Sequence, residues 1–256
     1  MSEAATVSEE VVIAQARGAI YRLLSQGLSY PDADGLSELL ETDLPLACHM
    51  VGALDEDLAL PLVAFGHRVA HSDAEAIALD FERIFTHVHS VDCPPYETSY
   101  ISKGLFQQTN DLADIAAFYA AYGMSLSDEA HERHDHITVE CEFMHVLAIK
   151  QSYALEHDSP EHSEGCWQDQ RRFFEEHLGR WGPEFARRLL RLAAGSPYVD
   201  LAELASAFLA KEAERLVVEP LQSREVVAFP QLDEMSCGDD CLISPTRAQD
   251  VGTQSG

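Results

Sequence analysis

The sequence predicts an all-α fold, a single-domain helical bundle followed by a tail. Apolar residues recur three and four positions apart through most of the chain, which is typical of helices that pack against a core. Serine, aspartate, glycine and proline stand where these stretches begin and end. No stretch of useful length alternates apolar and polar residues as a half-buried strand does, and no internal repeat is evident.

The first third of the sequence predicts one long helix and then several short ones. Ser8 can cap a helix over residues 9–28, in which apolar residues form one stripe. Prolines and a glycine then interrupt the pattern, so we expect small helices over residues 36–70. The sequence Ser-Asp-Ala-Glu at positions 72–75 has the pattern of a capping box, and it predicts a helix that leads towards residue 92.

The middle of the chain predicts two helices, of which the second is central. Residues 110–122 have helical periodicity, and Gly123 is well placed to end that helix. Asp135 can cap the next helix, which runs to about residue 157. Because this helix is apolar on most sides, we expect other helices to surround it.

Three further helices are predicted towards the C-terminal end. Ser159 followed by proline is a favourable helix start, and this helix runs to about residue 180. Gly182 and Pro183 are expected to break it. Two helices then follow, over residues 183–194 and 198–217.

The composition changes at residue 219. From there on the chain is polar and acidic and is interrupted by prolines, so it cannot bury much apolar surface. We therefore predict one helical domain over residues 1–218 and a disordered tail over residues 219–256. Cys237 and Cys241 lie in this tail with three residues between them, whereas most zinc and redox pairs have two. They form either an incidental pair or ligands shared with a partner.

The sequence also predicts a rigid loop before the central helix. Pro94 and Pro95 each fix φ and lack an amide donor, so the loop cannot be helical and must be extended. Tyr96, Glu97 and Tyr100 follow, and aromatic rings with polar tips beside a charge are typical of a recognition surface. A loop that only connects two helices would need the same prolines, so both interpretations stay open.

The protein is strongly acidic. Its 17 Lys and Arg residues against 44 Asp and Glu residues give a net charge of -27. Binding to phosphates needs a basic surface, so nucleic acid is excluded as a partner. A surface this negative attracts cations and favours a basic peptide, while adaptation to a high-salt cytoplasm is the alternative explanation.

The sequence predicts a cytoplasmic protein. Six cysteines at unmatched spacings do not describe a secreted disulfide framework, and a reducing compartment accounts for them. The first ten residues lack the basic region and apolar run of a signal peptide. No stretch approaches the ~18 apolar residues that a membrane span requires, so no stable membrane insertion is expected. The sequence leaves open whether the protein is a monomer or a homodimer.

One cluster of residues is a candidate for metal chemistry. The histidines and acids of this cluster include His131, His134, Asp135 and His136. A helical metal-dependent phosphohydrolase built on the His-Asp pair is the alternative function, and a solvated cluster that caps a helix is the simpler interpretation. A di-iron centre is excluded because the chain has a single Glu-x-x-His pair, at positions 142–145. We predict no cofactor, no metal and no catalytic residue.

Several short motifs occur together in a characteristic order. They are Phe-Glu-Arg-Ile-Phe at positions 81–85, Pro-Pro-Tyr-Glu-Thr-Ser-Tyr at 94–100, Asp-His-Ile at 135–137, Glu-His-Leu-x-x-Trp at 176–181 and Ser-Pro-Tyr at 196–198. In order and spacing the chain resembles the TorD, DmsD and NarJ family of cytoplasmic chaperones for molybdenum enzymes, over about residues 10–217. Many members have an acidic residue and a proline where this chain has Cys93 and His134.

The resemblance implies a function without catalysis. Members of that family are all-helical, and they bind the twin-arginine leader and the body of a molybdopterin oxidoreductase until its cofactor is inserted. The implied partners are therefore such a catalytic subunit and its basic leader peptide. The leader-binding residues that the resemblance implies are Pro94, Pro95, Tyr96, Glu97, Tyr100, Asp135 and His136.

Overall fold

A computed structural model of the protein describes residues 8–85, 92–102, 104–126 and 132–219. Over these residues all regular structure is helical and there is no strand, which confirms the predicted all-α fold. The α-helices are α1 (Glu9–Gly27), α2 (Ala33–Glu38), α3 (Leu44–Met50), α4 (Ala59–Ala70), α5 (Ala74–Phe85), α6 (Thr98–Ile101), α7 (Leu105–Ala121), α8 (Ile137–Glu156), α9 (Pro160–Phe173), α10 (Gly179–Leu192) and α11 (Tyr198–Leu216).

Helices α1 and α8 lie against each other at the centre of the fold, as the apolar character of α8 predicts. Gly18 permits their close approach, because a Cβ at that position would lie 2.9 Å from Cδ1 of Ile149. At the same place Nδ1 of His145 donates a hydrogen bond to the Gly18 carbonyl oxygen, at 2.9 Å. Helix α9 packs on α8, and α10 packs on α11. These contacts bury a core that is rich in aromatic residues, including Trp181, Tyr21, Phe143, Phe173, Phe174, Phe185 and Phe208.

Most helix boundaries agree with the sequence prediction. The Ser8 hydroxyl accepts a hydrogen bond from the Val11 amide at 3.3 Å and caps α1. The region with several prolines forms the short helices α2, α3 and α4, with π-helical and 3-10 turns between them. Gly123 follows α7 with φ of 69°, a left-handed conformation that suits glycine. Helix α7 begins at Leu105, five residues earlier than predicted.

The cap of α5 differs from the prediction. The Ser72 hydroxyl donates a hydrogen bond backwards to the Arg68 carbonyl oxygen, at 2.7 Å. The Asp73 carboxylate accepts the hydrogen bond of the Glu75 amide instead, at 2.9 Å. Ser72 and Asp73 can each cap α5. Because the Ser72 hydroxyl is already hydrogen-bonded to the end of α4, Asp73 caps α5.

The predicted break at Gly182 and Pro183 is wrong, because both residues lie inside α10. The interruption of the α-helix comes earlier, in a π-helical turn at Phe174–Leu178 between α9 and α10. Proline inside a helix costs ~3 kcal/mol. Burial of Trp181 and Phe185, each at most 1% exposed, contributes ~1.5–3 kcal/mol per side chain and outweighs that cost.

Some predictions lie outside the described residues. These include the tail from residue 220 onward with Cys237 and Cys241, and His131 of the histidine cluster. The described residues belong to one compact unit, Met1–Val226. In the part of the chain that the structure describes, no helix combines the length and the apolar character that crossing a membrane would need.

Candidate functional site

The proline loop and the start of α8 lie side by side, although they are about 40 positions apart in the sequence. The Glu97 amide donates a hydrogen bond to the Asp135 carbonyl oxygen at 2.9 Å, and the Ile137 amide donates to the Pro95 carbonyl oxygen, also at 2.9 Å. Tyr96 and His136 thus form an isolated antiparallel bridge. We call residues 94–98 together with residues 135–137 the junction.

Asp135 connects the two halves of the junction through its side chain. Its carboxylate is fully buried and accepts hydrogen bonds from the Thr98 amide at 3.1 Å and the Thr98 hydroxyl at 2.7 Å. Two further hydrogen bonds come from the Arg133 guanidinium, at 3.0 and 2.8 Å. Four hydrogen bonds, two of them from a charged guanidinium, compensate the cost of burying this carboxylate.

The prediction that Asp135 caps α8 is therefore wrong. The cap is His136, whose Nδ1 accepts a hydrogen bond from the Thr138 amide at 3.3 Å. The Asp135 carboxylate turns instead to the first turn of α6, where Thr98 supplies two donors. Burial lowers the pKa of His136, and this favours the neutral ring that accepting a hydrogen bond requires.

The proline loop is also shorter than predicted. Its non-helical part ends at Tyr96, because Glu97 already has helical dihedral angles, with φ of -52° and ψ of -49°, and Thr98–Ile101 forms the single turn of α6. Tyr100, expected on a recognition surface, is buried, and its ring packs against Trp181 with centroids 5.2 Å apart. Cys93, which precedes the two prolines, is buried too. Burial raises the pKa of its thiol to about 12, so the thiol stays protonated at neutral pH.

Beneath the junction lies a buried polar network that includes residues the sequence reasoning missed. The fully buried Glu97 carboxylate faces Nδ1 of His177 at 3.1 Å. Trp181 donates its indole N–H to Glu140 at 3.0 Å. Burial, together with the nearby Glu97 carboxylate, raises the pKa of Glu140 well above its usual value, which favours the protonated form of Glu140.

The signal for this network was present in the sequence. His177 and Trp181 belong to the Glu-His-Leu-x-x-Trp motif, and Glu140 is one of two acids, with Glu142, in the otherwise largely apolar first half of α8. Nothing in the sequence showed that these side chains meet Glu97.

The outer edge of the junction is open to solvent. Pro94 and Tyr96 are half-buried, and the Arg133 guanidinium lies 4.6 Å from the centre of the Tyr96 ring. Glu132 is exposed, and its carboxylate accepts a hydrogen bond from the Tyr96 hydroxyl at 3.4 Å and lies 3.7 Å from Nε2 of His136. Of the predicted binding residues, Pro94 and Tyr96 therefore reach this surface, whereas Pro95, Glu97, Tyr100, Asp135 and His136 support it from inside.

A groove of about 350 Å³ begins beside this edge, between the ends of α1 and α7 and the start of α8. Its charged lining residues are two carboxylates, Glu132 and Glu142. Its apolar lining comes from Met124, Leu126, Val139 and Phe143, and its remaining lining residues are Ser25, Gln26, Ser29, Tyr119, Ser125 and Thr138. A ligand that is both cationic and apolar matches this lining. We call this feature the acidic groove.

The predicted histidine cluster does not assemble a metal site among the described residues. The His134 ring stacks on Tyr119, while Asp135 and His136 have the structural contacts given above. Glu142 is exposed, and His145 is bonded to α1. Within the described ranges, metal-ligand spacing is found at a different group, Asp114, Glu176 and His177. The alternative function as a phosphohydrolase therefore has no support.

Comparison with known proteins gives the same family of chaperones as the sequence motifs. The Nitrate reductase delta subunit family model matches residues 51–187. The perchlorate reductase assembly chaperone protein of Dechloromonas aromatica (strain RCB) is 27% identical over 226 residues, which cover 84% of this chain and 98% of that protein. The chaperone protein TorD of Vibrio cholerae serotype O1 (strain El Tor Inaba N16961) is 30% identical over 136 residues, which cover 53% of this chain and 60% of TorD.

A solved structure from Archaeoglobus fulgidus, of a protein assigned to redox enzyme maturation, is also similar. It has 24% sequence identity and a TM-score of 0.48, and the match covers 75% of this chain and 93% of that one.

The helical fold, the ordered motifs and the curated relatives define a chaperone of the TorD-like type, a class whose members are not catalysts. The chain belongs to the nitrate reductase delta subunit family. The resemblance to the TorD, DmsD and NarJ proteins is thereby confirmed.

Proposed function

We propose that this protein is a cytoplasmic maturation chaperone for the catalytic subunit of a molybdopterin-containing oxidoreductase. It binds the basic twin-arginine leader peptide of that subunit, its body, or both, and holds the subunit for cofactor insertion before export or assembly. Two of the relatives named above are chaperones, one of them for perchlorate reductase. The observation that carries the proposal is the acidic groove beside the junction.

The chemistry of the groove matches a leader with paired arginines before an apolar run. Glu132 and Glu142 offer carboxylates to two guanidinium groups, and the charge-assisted pairs that form are stronger than neutral hydrogen bonds. The apolar side chains of the groove then cover the residues that follow the arginines. A net charge of -27 steers such a peptide towards the protein from a distance.

The junction gives this surface its rigidity. Pro94 and Pro95 remove backbone freedom, and the hydrogen bonds of Asp135 hold the loop on α8. A surface that is already ordered loses less entropy when a peptide binds. In this proposal Pro94 and Tyr96 contact the leader, and the buried residues Pro95, Glu97, Tyr100, Asp135 and His136 keep the contact surface in place.

The test is calorimetric titration of the full chain with a peptide that carries paired arginines and an apolar run. Replacing Glu132→Gln and Glu142→Gln together should weaken binding about tenfold, since two partly exposed charge pairs are lost. The matched control is the double variant Glu41→Gln and Glu203→Gln. It changes the net charge equally at exposed positions outside the groove.

The salt dependence and the peptide controls complete the test. Affinity should fall as salt rises, and a peptide with alanines in place of both arginines should bind more weakly. Equal losses in the groove variant and the control variant would show that the groove is not the site. Absence of any binding to the arginine peptide would contradict leader recognition itself.

A further inference from the structure

A group of three potential metal ligands lies on the side of the junction that faces α7. Asp114 of α7 and Glu176 and His177 of the π-helical turn each present one ligand atom, and the three atoms lie within 4.8 Å of one another. Asp114 is 55% exposed and His177 only 4% exposed by side chain, so the group has a buried end and an open side. The π-helical turn is rare in proteins, and such turns occur frequently at functional sites.

The imidazole of His177 is oriented as a metal ligand is. Its Nδ1 faces the buried Glu97 carboxylate at 3.1 Å, so the ring proton is held on that side. Ligating histidines are usually fixed in this way by a carboxylate behind them, which leaves the second nitrogen free for the metal. Here the second nitrogen, Nε2, points towards Asp114, with 3.5 Å between Nε2 and Oδ2.

Nε2 of His177 is buried and has no hydrogen-bond partner among the described residues. A buried polar atom without a partner costs free energy, so its position needs a cause. A lone pair held 3.5 Å from a carboxylate oxygen is repelled by it unless a cation lies between them. Two ligand atoms that each lie about 2.1 Å from a tetrahedral ion are separated by about 3.4 Å, close to the distance seen here.

We propose that Asp114, Glu176 and His177 bind one divalent first-row transition metal ion, with zinc as the ion tested. One imidazole nitrogen and two carboxylate oxygens suit zinc, and a fourth position stays open on the side of Asp114. The site is separate from the acidic groove, whose lining residues it does not share.

Arg172 is the competitor for this site. Its Nε lies 3.1 and 3.2 Å from the two carboxylate oxygens of Glu176. The Arg172 side chain is 61% exposed, so this pair is weak and can open. Metal binding requires Arg172 to release the carboxylate. Removing this arginine should therefore strengthen metal binding, an effect that a purely structural ion pair would not produce.

The experiment is titration of the full chain, freed of metal by a chelator, with zinc and separately with cobalt. The chain carries the substitutions Cys237→Ser and Cys241→Ser so that the tail thiols cannot contribute. We expect saturation at one ion per chain, and a cobalt spectrum with visible bands typical of tetrahedral coordination and no thiolate charge-transfer band.

Variants at the exposed ligands assign the site without disturbing the core. Asp114→Asn and Glu176→Gln should each weaken zinc binding by about tenfold or more. Arg172→Gln should strengthen it about three- to fivefold. The matched control is Glu175→Gln, which removes a neighbouring carboxylate of the same turn and should leave the affinity unchanged.

Three outcomes would overturn the proposal. The first is a lack of saturable zinc binding. The second is zinc binding that Asp114→Asn leaves unchanged. The third is a cobalt spectrum dominated by thiolate bands, which would assign the metal to the remaining cysteines.

Discussion

The Asp135 carboxylate accepts hydrogen bonds from both the main-chain amide and the hydroxyl of Thr98, so a residue that precedes α8 caps α6. Together with the two backbone hydrogen bonds of the junction, this side chain holds the proline loop on the central helix. The family resemblance implies that Asp135 contacts the leader, but its carboxylate has no exposed surface in the free protein. Asp135 therefore affects leader binding indirectly, by stabilising the junction.

The first prediction concerns this carboxylate. Asp135→Asn replaces one acceptor oxygen by an amide group that faces the donors of Arg133, so at least one buried hydrogen bond is lost. We expect a loss of ~1–3 kcal/mol in the free energy of unfolding, measured by thermal or denaturant melting. Asp34→Asn, at an exposed position, is the control and should melt like the unaltered protein. Identical melting of the two variants would contradict this account.

The second prediction concerns the buried carboxyl group of Glu140. Its raised pKa means that the folded chain keeps a proton that the unfolded chain releases above the usual value of 4.5. Stability from this group is therefore full below pH 4.5 and falls as the pH rises towards the folded pKa. Glu140→Gln cannot ionise, and its carbonyl can still accept the hydrogen bond of Trp181.

Melting at two pH values tests this sign. The melting temperature of the Gln variant, relative to the unaltered protein, should rise between about pH 5 and about pH 8. Comparing the two proteins at each pH cancels the contributions of all other groups. A constant difference across this range would show that Glu140 is ionised in the folded protein.

The third prediction concerns a buried ion pair at the other side of α1. Arg17 contacts Glu212 of α11 at 2.7 Å with both side chains 1% exposed, and Tyr21 donates to the same carboxylate at 2.9 Å. Arg17→Met leaves a buried carboxylate without its cation and should cost ~3–5 kcal/mol in denaturant melting. Adding Glu212→Gln removes the charge but keeps an acceptor for Tyr21, so stability should partly return.

The contrast with a surface pair is the control. Lys211 pairs with Asp55 at 2.8 Å where both side chains are partly exposed, so Lys211→Met should change the melting little. If the double variant at positions 17 and 212 were as unstable as Arg17→Met alone, the loss would come from packing and not from charge.

The fourth prediction concerns the domain boundary. Leu216 and Val218 are buried, and Arg171 donates to the Leu216 carbonyl oxygen at 2.8 Å, so the folded domain needs the chain up to Val218. Deleting residues 219–256 should leave the melting temperature nearly unchanged, because this segment has little apolar surface to bury. Deleting residues 216–256 should lower it. A drop of many degrees in the shorter deletion would show that the tail packs on the domain.

Local chemistry was sufficient to predict most of the helices. Apolar periodicity predicted α1, α7, α8 and α11. Ser8 correctly marked the start of α1, and Gly123 correctly marked the end of α7. These signals act within a few positions of the chain, so the sequence carries them directly. The order of the short motifs likewise indicated the family.

The candidate site depended on contacts between distant positions. Asp135 and His136 are both able to cap α8. Asp135 caps α6 instead because the proline loop brings Thr98 within hydrogen-bonding distance of its carboxylate. The sequence predicted that Glu97 lies on a recognition surface, whereas in the fold its carboxylate is buried against His177. A hydrogen-bonding side chain takes whichever donors the fold brings within about 3 Å. The partners of Asp135 and Glu97 therefore follow from how α6, α7 and α8 pack around the junction.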